Sequence, residues 1–373
     1  MVKVVLYTPG ELAQSSYVHT GFFELEKQKY LKCYVKIRFK KDLGTLEILK
    51  NKKKYSKRPH PKTSFYDVVI DKNKVIRIAI DLDDNPSRFS APALKTCKYI
   101  FKRNFQNYYV NQLSLKHRQK LFPLGITTGC VSKSRHSTLK IYLGLFVYLL
   151  LVNIKFDKLL FSRLLTVFKS FKNNFYFDKS NRNIEFLRYR NIKQKKRQVF
   201  YQTRCFEDDS AIDTKSLHIY RNKIISQLKS NLGNNFKGGF IKSNVSIKNF
   251  NDNISNIKTK DYYKEIANSQ ITVYSNGLTT SPAWKLVEYL SKGNAIIAEN
   301  INFELPFKLE NNKHLIYFDN PNDCAAKAKK LIRDRKKISF LSKNALDYFH
   351  KYVDPMQNIK RIINLLIELE KKK

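Results

Sequence analysis

Residues 271–299, ITVYSNGLTTSPAWKLVEYLSKGNAIIAE, constrain the fold more than any other stretch of the chain. ITVYS is short, β-branched and aromatic, and NAIIA is a second apolar run of similar length. The pair suits buried parallel strands joined by a crossover helix. The segment between them carries helix punctuation: Ser281 as N-cap, Pro282 at the first helical position, Lys292 in the last turn, and Gly293 where a left-handed residue is wanted. Ala283, Leu286, Val287 and Leu290 recur at i, i+3, i+4 and i+7, an apolar stripe that buries against a sheet. Lys285 and Glu288 are left on another face. A chain built on such a unit is an α/β protein with a parallel sheet.

Doubly wound folds bind ligands where a helix follows the carboxyl end of a parallel strand, and Lys285 and Glu288 sit there. The loop Asn276, Gly277, Leu278, Thr279, Thr280 and Ser281 brings backbone N–H groups and a helix N-terminus to the same place, which favours a phosphate. A carboxylate one turn further on accepts hydrogen bonds from a pair of sugar hydroxyls. An i, i+3 surface pair between Lys285 and Glu288 is the plainer account of the same residues. KLVEYLSKGNAIIAE resembles the donor-site signature of GT-B glycosyltransferases, in which a helical glutamate is followed by an Ala/Leu-type run, a glycine and a strand; Glu288 stands five residues before Gly293. The resemblance covers the last 170 residues or so by motif and the first half only by general layout. It implies two Rossmann-like α/β domains facing a cleft, a nucleotide diphosphate sugar as donor, no cofactor and no metal. Many retaining members carry a second glutamate where this chain has Thr280, so the anomeric outcome stays open.

At 373 residues there is room for about two domains, each with its own core. Lys and Arg number 71 against 31 Asp and Glu, a formal net charge of +40, while hydrophobic residues make up 42%. That charge implies an anionic partner, and the apolar content excludes reading it as disorder. Lys, Asn and Ile are abundant along the whole chain, which weakens an inference to nucleic acid. Cys33, Cys97, Cys130, Cys205 and Cys324 show no C-x-x-C pair and read as reduced, buried thiols without structural zinc. The first residues enter a strand-like run, VKVVLY, with no signal-peptide pattern, so a cytoplasmic location is expected.

The amino-terminal domain is expected over residues 1–130. VKVVLY and a helix from about Tyr17 to Lys29 make a first βα unit, without the G-x-G-x-x-G of a dinucleotide site. By the resemblance this domain handles the acceptor, with Ser15, Ser16, His19 and Thr20 lining the cleft. His19 is then a candidate general base, because imidazole titrates near neutrality; a helix-capping or exposed histidine is the alternative. CYVKIRF, FYDVVI and VIRIAI read as strands, the last running into Asp81, Leu82, Asp83 and Asp84. Asp81 and Asp83 form an Asp-x-Asp like the metal motif of GT-A glycosyltransferases, which leaves open a metal-dependent transferase; acidic turn residues before Pro86 are the alternative.

Residues 131–197 break the α/β rhythm. IYLGLFVYLLLV, Ile141 to Val152, carries no charge but would rise only about 18 Å as a helix, too short for a bilayer. Phe156, Leu160, Leu164, Val167 and Phe171 then recur at amphipathic spacing, with Lys155, Lys158, Arg163, Lys169 and Lys172 between them. This basic amphipathic insertion suits either an anionic membrane interface or packing within the first domain or a dimer contact. Residues 178–197 read as a charged linker.

The second domain is expected over residues 198–350. VFYQTRCF delivers Thr203 and Arg204 to a strand's carboxyl end, and by the resemblance Arg204 neutralises the donor diphosphate; an ion pair with Glu207 or Asp208 is the alternative. Residues 351–373 are expected as a terminal helix crossing back to the first domain. Together these features predict a hexosyltransferase-like enzyme that acts on a glycan or lipid-linked acceptor without a metal, in surface polysaccharide synthesis. Glu288, Arg204 and His19 would act in catalysis, and Asn276, Gly277, Thr280, Ser281, Lys285 and Glu288 would hold the donor. A non-enzymatic protein that binds nucleic acid or another polyanion rests on charge alone, and no reading helix or basic-aromatic strand surface supports it.

Overall fold

The computed structural model describes residues 1–372 except 51, 71–73, 156, 190–194, 207–212, 242–249, 251–252 and 259–260. The chain divides into two compact units: one of Met1–Phe186, Phe303–Phe307 and Tyr352–Lys373, the other of Leu187–Asn302 and Lys308–Lys351. The division falls at Leu187, eleven residues before the expected start at Gln198.

In the first unit, β1 (Val2–Tyr7), β2 (Leu31–Lys36), β3 (Thr63–Val69), β4 (Val75–Asp81), β5 (Tyr99–Lys102) and β6 (Leu121–Pro123) form one sheet in the order β2-β1-β3-β4-β5-β6. All neighbours are parallel except that β3 runs against both β1 and β4. A smaller sheet joins Leu43–Leu49 to Lys52–Pro59 and Arg88–Ser90. Helix α1 (Ser15–Lys27) is buried along nearly its whole length because two layers cover it: the sheet and the terminal helix Pro355–Lys371. The Tyr17 hydroxyl donates to Val353 O at 2.6 Å and fixes the entry to that last helix, which belongs to the first unit. Two further helices, α2 (Thr138–Asn153) and α3 (Leu160–Ser180), form a hairpin in the same unit.

The second unit holds five parallel strands, β7 (Lys196–Thr203), β8 (Phe236–Phe240), β9 (Ser269–Tyr274), β10 (Ala295–Glu299) and β11 (Ile316–Phe318), in the order β8-β7-β9-β10-β11. It is therefore Rossmann-like, as the apolar runs of residues 271–299 predict. Strands covered on both faces have no polar side to show, and Ile271, Val273, Ile296 and Ile297 are all fully buried. Helices α4 (Thr214–Leu232), α5 (Tyr262–Asn268), α6 (Trp284–Ser291), Pro321–Leu331 and Arg335–Tyr348 flank the sheet. Gly238 and Gly239 have φ of +138° and +127°, and a Cβ on Gly238 would lie 1.7 Å from Tyr201 O. The glycine pair thus serves the close approach of β8 to β7.

Candidate functional site

In the second unit the first strand, β7, lies between the second and the third, so the direction of winding reverses between β7 and β9. Loops leaving two such strands diverge and open a crevice at their carboxyl ends. The residues that meet there are Arg204 after β7, Asn276 after β9, Glu299 at the end of β10, Arg221 on α4, and Lys285 and Glu288 on α6.

Arg221 spans the crevice. Its Nη1 donates to Arg204 O at 3.1 Å and its Nη2 to Asn276 O at 2.8 Å, so one buried guanidinium fixes the first residues after both strands. The Phe206 ring lies against two cations, 4.9 Å from the Arg204 guanidinium and 5.2 Å from that of Arg221. Lys285, half-buried in the first turn of α6, points its Nζ at Gln202 O. Burial, then the charges of Arg221 and Arg204, push its pKa down to about 7, with Glu288 opposing them. Burial also lowers both arginines, and Arg204 adds to the effect on Arg221. Three cations thus converge on one strand edge; the described hydrogen bonds of Arg221 and Lys285 go to backbone carbonyls, and the Arg204 guanidinium lies against Phe206.

The carboxylates beside them are held by uncharged donors. Glu288 is 6% exposed, and accepts from the hydroxyls of Tyr262 (2.9 Å) and Tyr263 (2.8 Å), both on α5. Glu299 accepts from Asn276 N at 2.9 Å, and burial raises its pKa. Asn276 Nδ2 donates to Asn300 O at 2.9 Å. Gly277 N donates to Ser281 O at 2.9 Å, which closes the loop, and Thr279 and Thr280 inside it take φ of 53° and 56°. β-branched residues avoid that region, at about 1–2 kcal/mol each, so the loop is strained. Thr280 is exposed and Ser281 buried.

Helix α6 begins at Trp284 with Ala283 as N-cap, which corrects the expected start at Ser281 and Pro282. The reason is local: Ala283 N donates to the Tyr274 hydroxyl at 3.1 Å, and Ser281 is spent on closing the loop. Gly293, at φ 56°, follows the helix as expected.

No family model matches the chain, and no curated protein matches it. Among solved structures it is similar to TarM, at 11% identity over 98% of each chain and a TM-score of 0.43. It is also similar to the C-terminal domain of a glycosyl transferase group 1 family protein, LpcC, from Francisella tularensis, at 13% identity over 45% of this chain and 96% of that one, TM-score 0.32. A glycosyltransferase from Rickettsia africae gives 11% identity over 74% of this chain and 64% of that one, TM-score 0.37. Likenesses so distant do not bear on the activity, which rests on the geometry above.

Arg204, Asn276, Gly277, Thr280, Ser281, Lys285 and Glu288 all lie at this one edge. His19, in the first unit, is 3% exposed on α1 and lies edge-on to Phe23 and Tyr66. Burial, reinforced by Arg135, lowers its pKa to about 3, too weak a base for a hydroxyl at neutral pH. Ser15, Ser16 and Thr20 are buried with it. Glu207 and Asp208, the alternative partners of Arg204, lie outside the described residues. Asp81 and Asp83 are taken up by side chains of the protein: Asp81 pairs with Lys102 Nζ at 3.2 Å and Asp83 lies 3.5 Å from His60 Nε2. Arg221, Glu299, Tyr262 and Tyr263 escaped the sequence reading. Arg221 had a signal, because it interrupts the buried stripe of Ile225, Leu228 and Leu232 at the spacing of a core residue.

Proposed function

We propose that the chain is a glycosyltransferase that moves a sugar, of hexose type, from a nucleotide diphosphate donor to a glycan or lipid-linked acceptor in surface polysaccharide synthesis. The observation that carries the reading is the convergence of Arg204, Arg221 and Lys285 on the crevice between β7 and β9. Three cations of which one is half-deprotonated near neutrality form a receptacle for a polyanion, and the leaving nucleoside diphosphate is such an anion. Arg204 and Lys285 neutralise the two phosphates, Arg221 holds the strand ends that present them, and the loop from Asn276 to Ser281 lies beside the phosphates. Glu288, on the helix α6 that follows the loop, holds ribose or sugar hydroxyls. Positive charge supplied in this way needs no metal ion.

The test is a thermal-shift series with nucleoside diphosphates and their sugar conjugates, with and without chelator. A ligand at a hundred times its dissociation constant adds about 2.7 kcal/mol of stability. A shift with one nucleotide that survives chelator and disappears in Glu288→Ala is expected. A native protein that responds to no nucleotide refutes the donor site.

A further inference from the structure

The α2–α3 hairpin of the first unit presents an apolar surface that the body of that unit does not cover. Helix α2 buries Ile141, Leu145, Tyr148 and Leu149, and Gly144 lets it close on the end of β1: a Cβ there would lie 2.3 Å from Thr8 Oγ1. Helix α3 is fastened by Asp178, which pairs with Arg135 at 2.8 Å, and by Asn174, whose Oδ1 accepts from Leu12 N at 3.0 Å. Phe146 packs against Phe168 and Phe171 across the hairpin, and Tyr142 against Phe175. What remains outside carries a dense set of apolar side chains. Of the 21 large hydrophobic side chains exposed among the described residues, eight fall between Leu139 and Phe177, a concentration that separates a patch from ordinary scatter. Phe161, Leu165 and Phe168, at 74%, 55% and 56% exposure, stand at i, i+4 and i+7 on one side of α3.

The charge on this hairpin has one sign. Lys140, Lys155, Lys158, Lys169, Lys172 and Lys179 are exposed, whereas its two acids, Asp157 and Asp178, are paired with Arg163 and Arg135. A second copy of the chain would bring the same cations to the face and repel it. Nucleic acid would answer the lysines and leave the phenylalanines in water. An anionic bilayer answers both. Among the described residues no helix is long and apolar enough to cross a membrane, so the hairpin lies on the surface and does not span it.

We propose that the α2–α3 hairpin docks the chain on an anionic lipid surface, with Phe161, Leu165 and Phe168 in the boundary between headgroups and acyl chains and the lysines on the headgroups. The inference does not depend on the activity proposed above. It has a geometric consequence within the first unit: α3 contacts Leu12 and Asn181 contacts Ser16, so the loop after β1 is held beside the docked face.

The test is cosedimentation of the full chain with phosphatidylcholine vesicles, with and without phosphatidylglycerol. The native chain should pellet with the anionic vesicles and retain part of its binding in high salt. Phe161→Ser/Leu165→Ser/Phe168→Ser should weaken binding more than tenfold and abolish the salt-resistant part. Lys158→Gln/Lys169→Gln/Lys172→Gln should weaken it by about fivefold per lysine. Lys329→Gln/Lys330→Gln/Lys336→Gln, the same charge change at exposed sites of the second unit, should leave it almost unchanged. Should the serine variant unfold, Phe168→Trp replaces it: its fluorescence should be quenched by brominated lipid more strongly than that of the native chain, whose one tryptophan is Trp284. Equal loss in both lysine variants, full binding by a folded serine variant, or no added quenching would overturn the proposal. So would light scattering that shows the native chain to be a dimer which the serine variant dissociates.

Discussion

The carboxyl edges of the two sheets both collect charge, but they dispose of it in opposite ways. At the edge of the first unit the acids at the end of β4 lie against side chains of the same unit: Asp81 pairs with fully buried Lys102, Asp84 with Arg103 and with Lys62, and Asp83 lies 3.5 Å from His60 Nε2. At the edge of the second unit, Arg221 and Lys285 have backbone carbonyls as their described partners and the Arg204 guanidinium lies against the Phe206 ring, while Glu288 and Glu299 accept from phenols and an amide N–H. The first arrangement is self-neutralising and needs nothing further. Among the described residues, the second pairs none of its three cations with a carboxylate at salt-bridge distance. A cluster of charges is therefore no sign of a site; what matters is whether the protein has already answered them.

The sharpest break of that comparison is Asp81→Asn. It strips the counter-charge from a lysine that is 0% exposed, and breaking a buried pair in this way costs about 3–5 kcal/mol. Urea melts should show that loss, and the nucleotide response of the second unit should persist below the new midpoint. If stability is unchanged while a divalent cation ceases to shift the melt, Asp81 is a metal ligand and the self-neutralising account of the first edge is wrong. On the other side, Tyr262→Phe removes one phenol from Glu288. A hydrogen bond to a buried carboxylate contributes about 1.5–3 kcal/mol, so the variant should lose that much in a thermal melt. It should also bind nucleotide about tenfold more weakly, because the carboxylate loses one of the described donors that aim it. Unaltered nucleotide affinity would mean that Glu288 is a structural group closing α5 onto α6.

The second edge was more legible in the sequence than the first. Residues 271–299 gave both strands and the helix because their apolar periods are unbroken, and those periods are set by burial on a sheet that is parallel throughout. Arg204, Lys285 and Glu288 followed, since strand ends and helix starts fix where side chains emerge. Arg221, Tyr262 and Tyr263 did not, because what makes them important is contact across elements 17 to 55 residues apart, which no local pattern records. In the first unit the helix expected from about Tyr17 starts at Ser15, and nothing in its local sequence shows that His19 is buried. Its ring packs edge-on against Tyr66 of β3, a contact between elements far apart in the chain that no local pattern records. The hairpin Leu43–Leu49 and Lys52–Pro59 was not foreseen, because its second strand reads KKKYSKRP and is exposed at almost every position.

Lys285 offers the finest probe of the unanswered edge, through pH. Its folded pKa is about 7 against an ordinary value of 10.5, so between those limits the unfolded chain binds the extra proton. Without ligand, the stability contributed by this group therefore rises as pH increases from about 7 toward 10.5, and in Lys285→Met that part of the slope is lost. A diphosphate placed against Nζ reverses the balance, because an anion favours the ammonium form and binding takes up a proton. Nucleotide affinity should accordingly fall by up to about tenfold per pH unit above 7 in the native chain. In Lys285→Arg, whose guanidinium stays charged, affinity should be flat with pH over the same range. Titration calorimetry in two buffers of different ionisation enthalpy reads the proton directly. Uptake that is absent from the native chain, or equal in Lys285→Arg, would show that the phosphates do not touch Lys285 and would leave Arg204 as the cation that meets them.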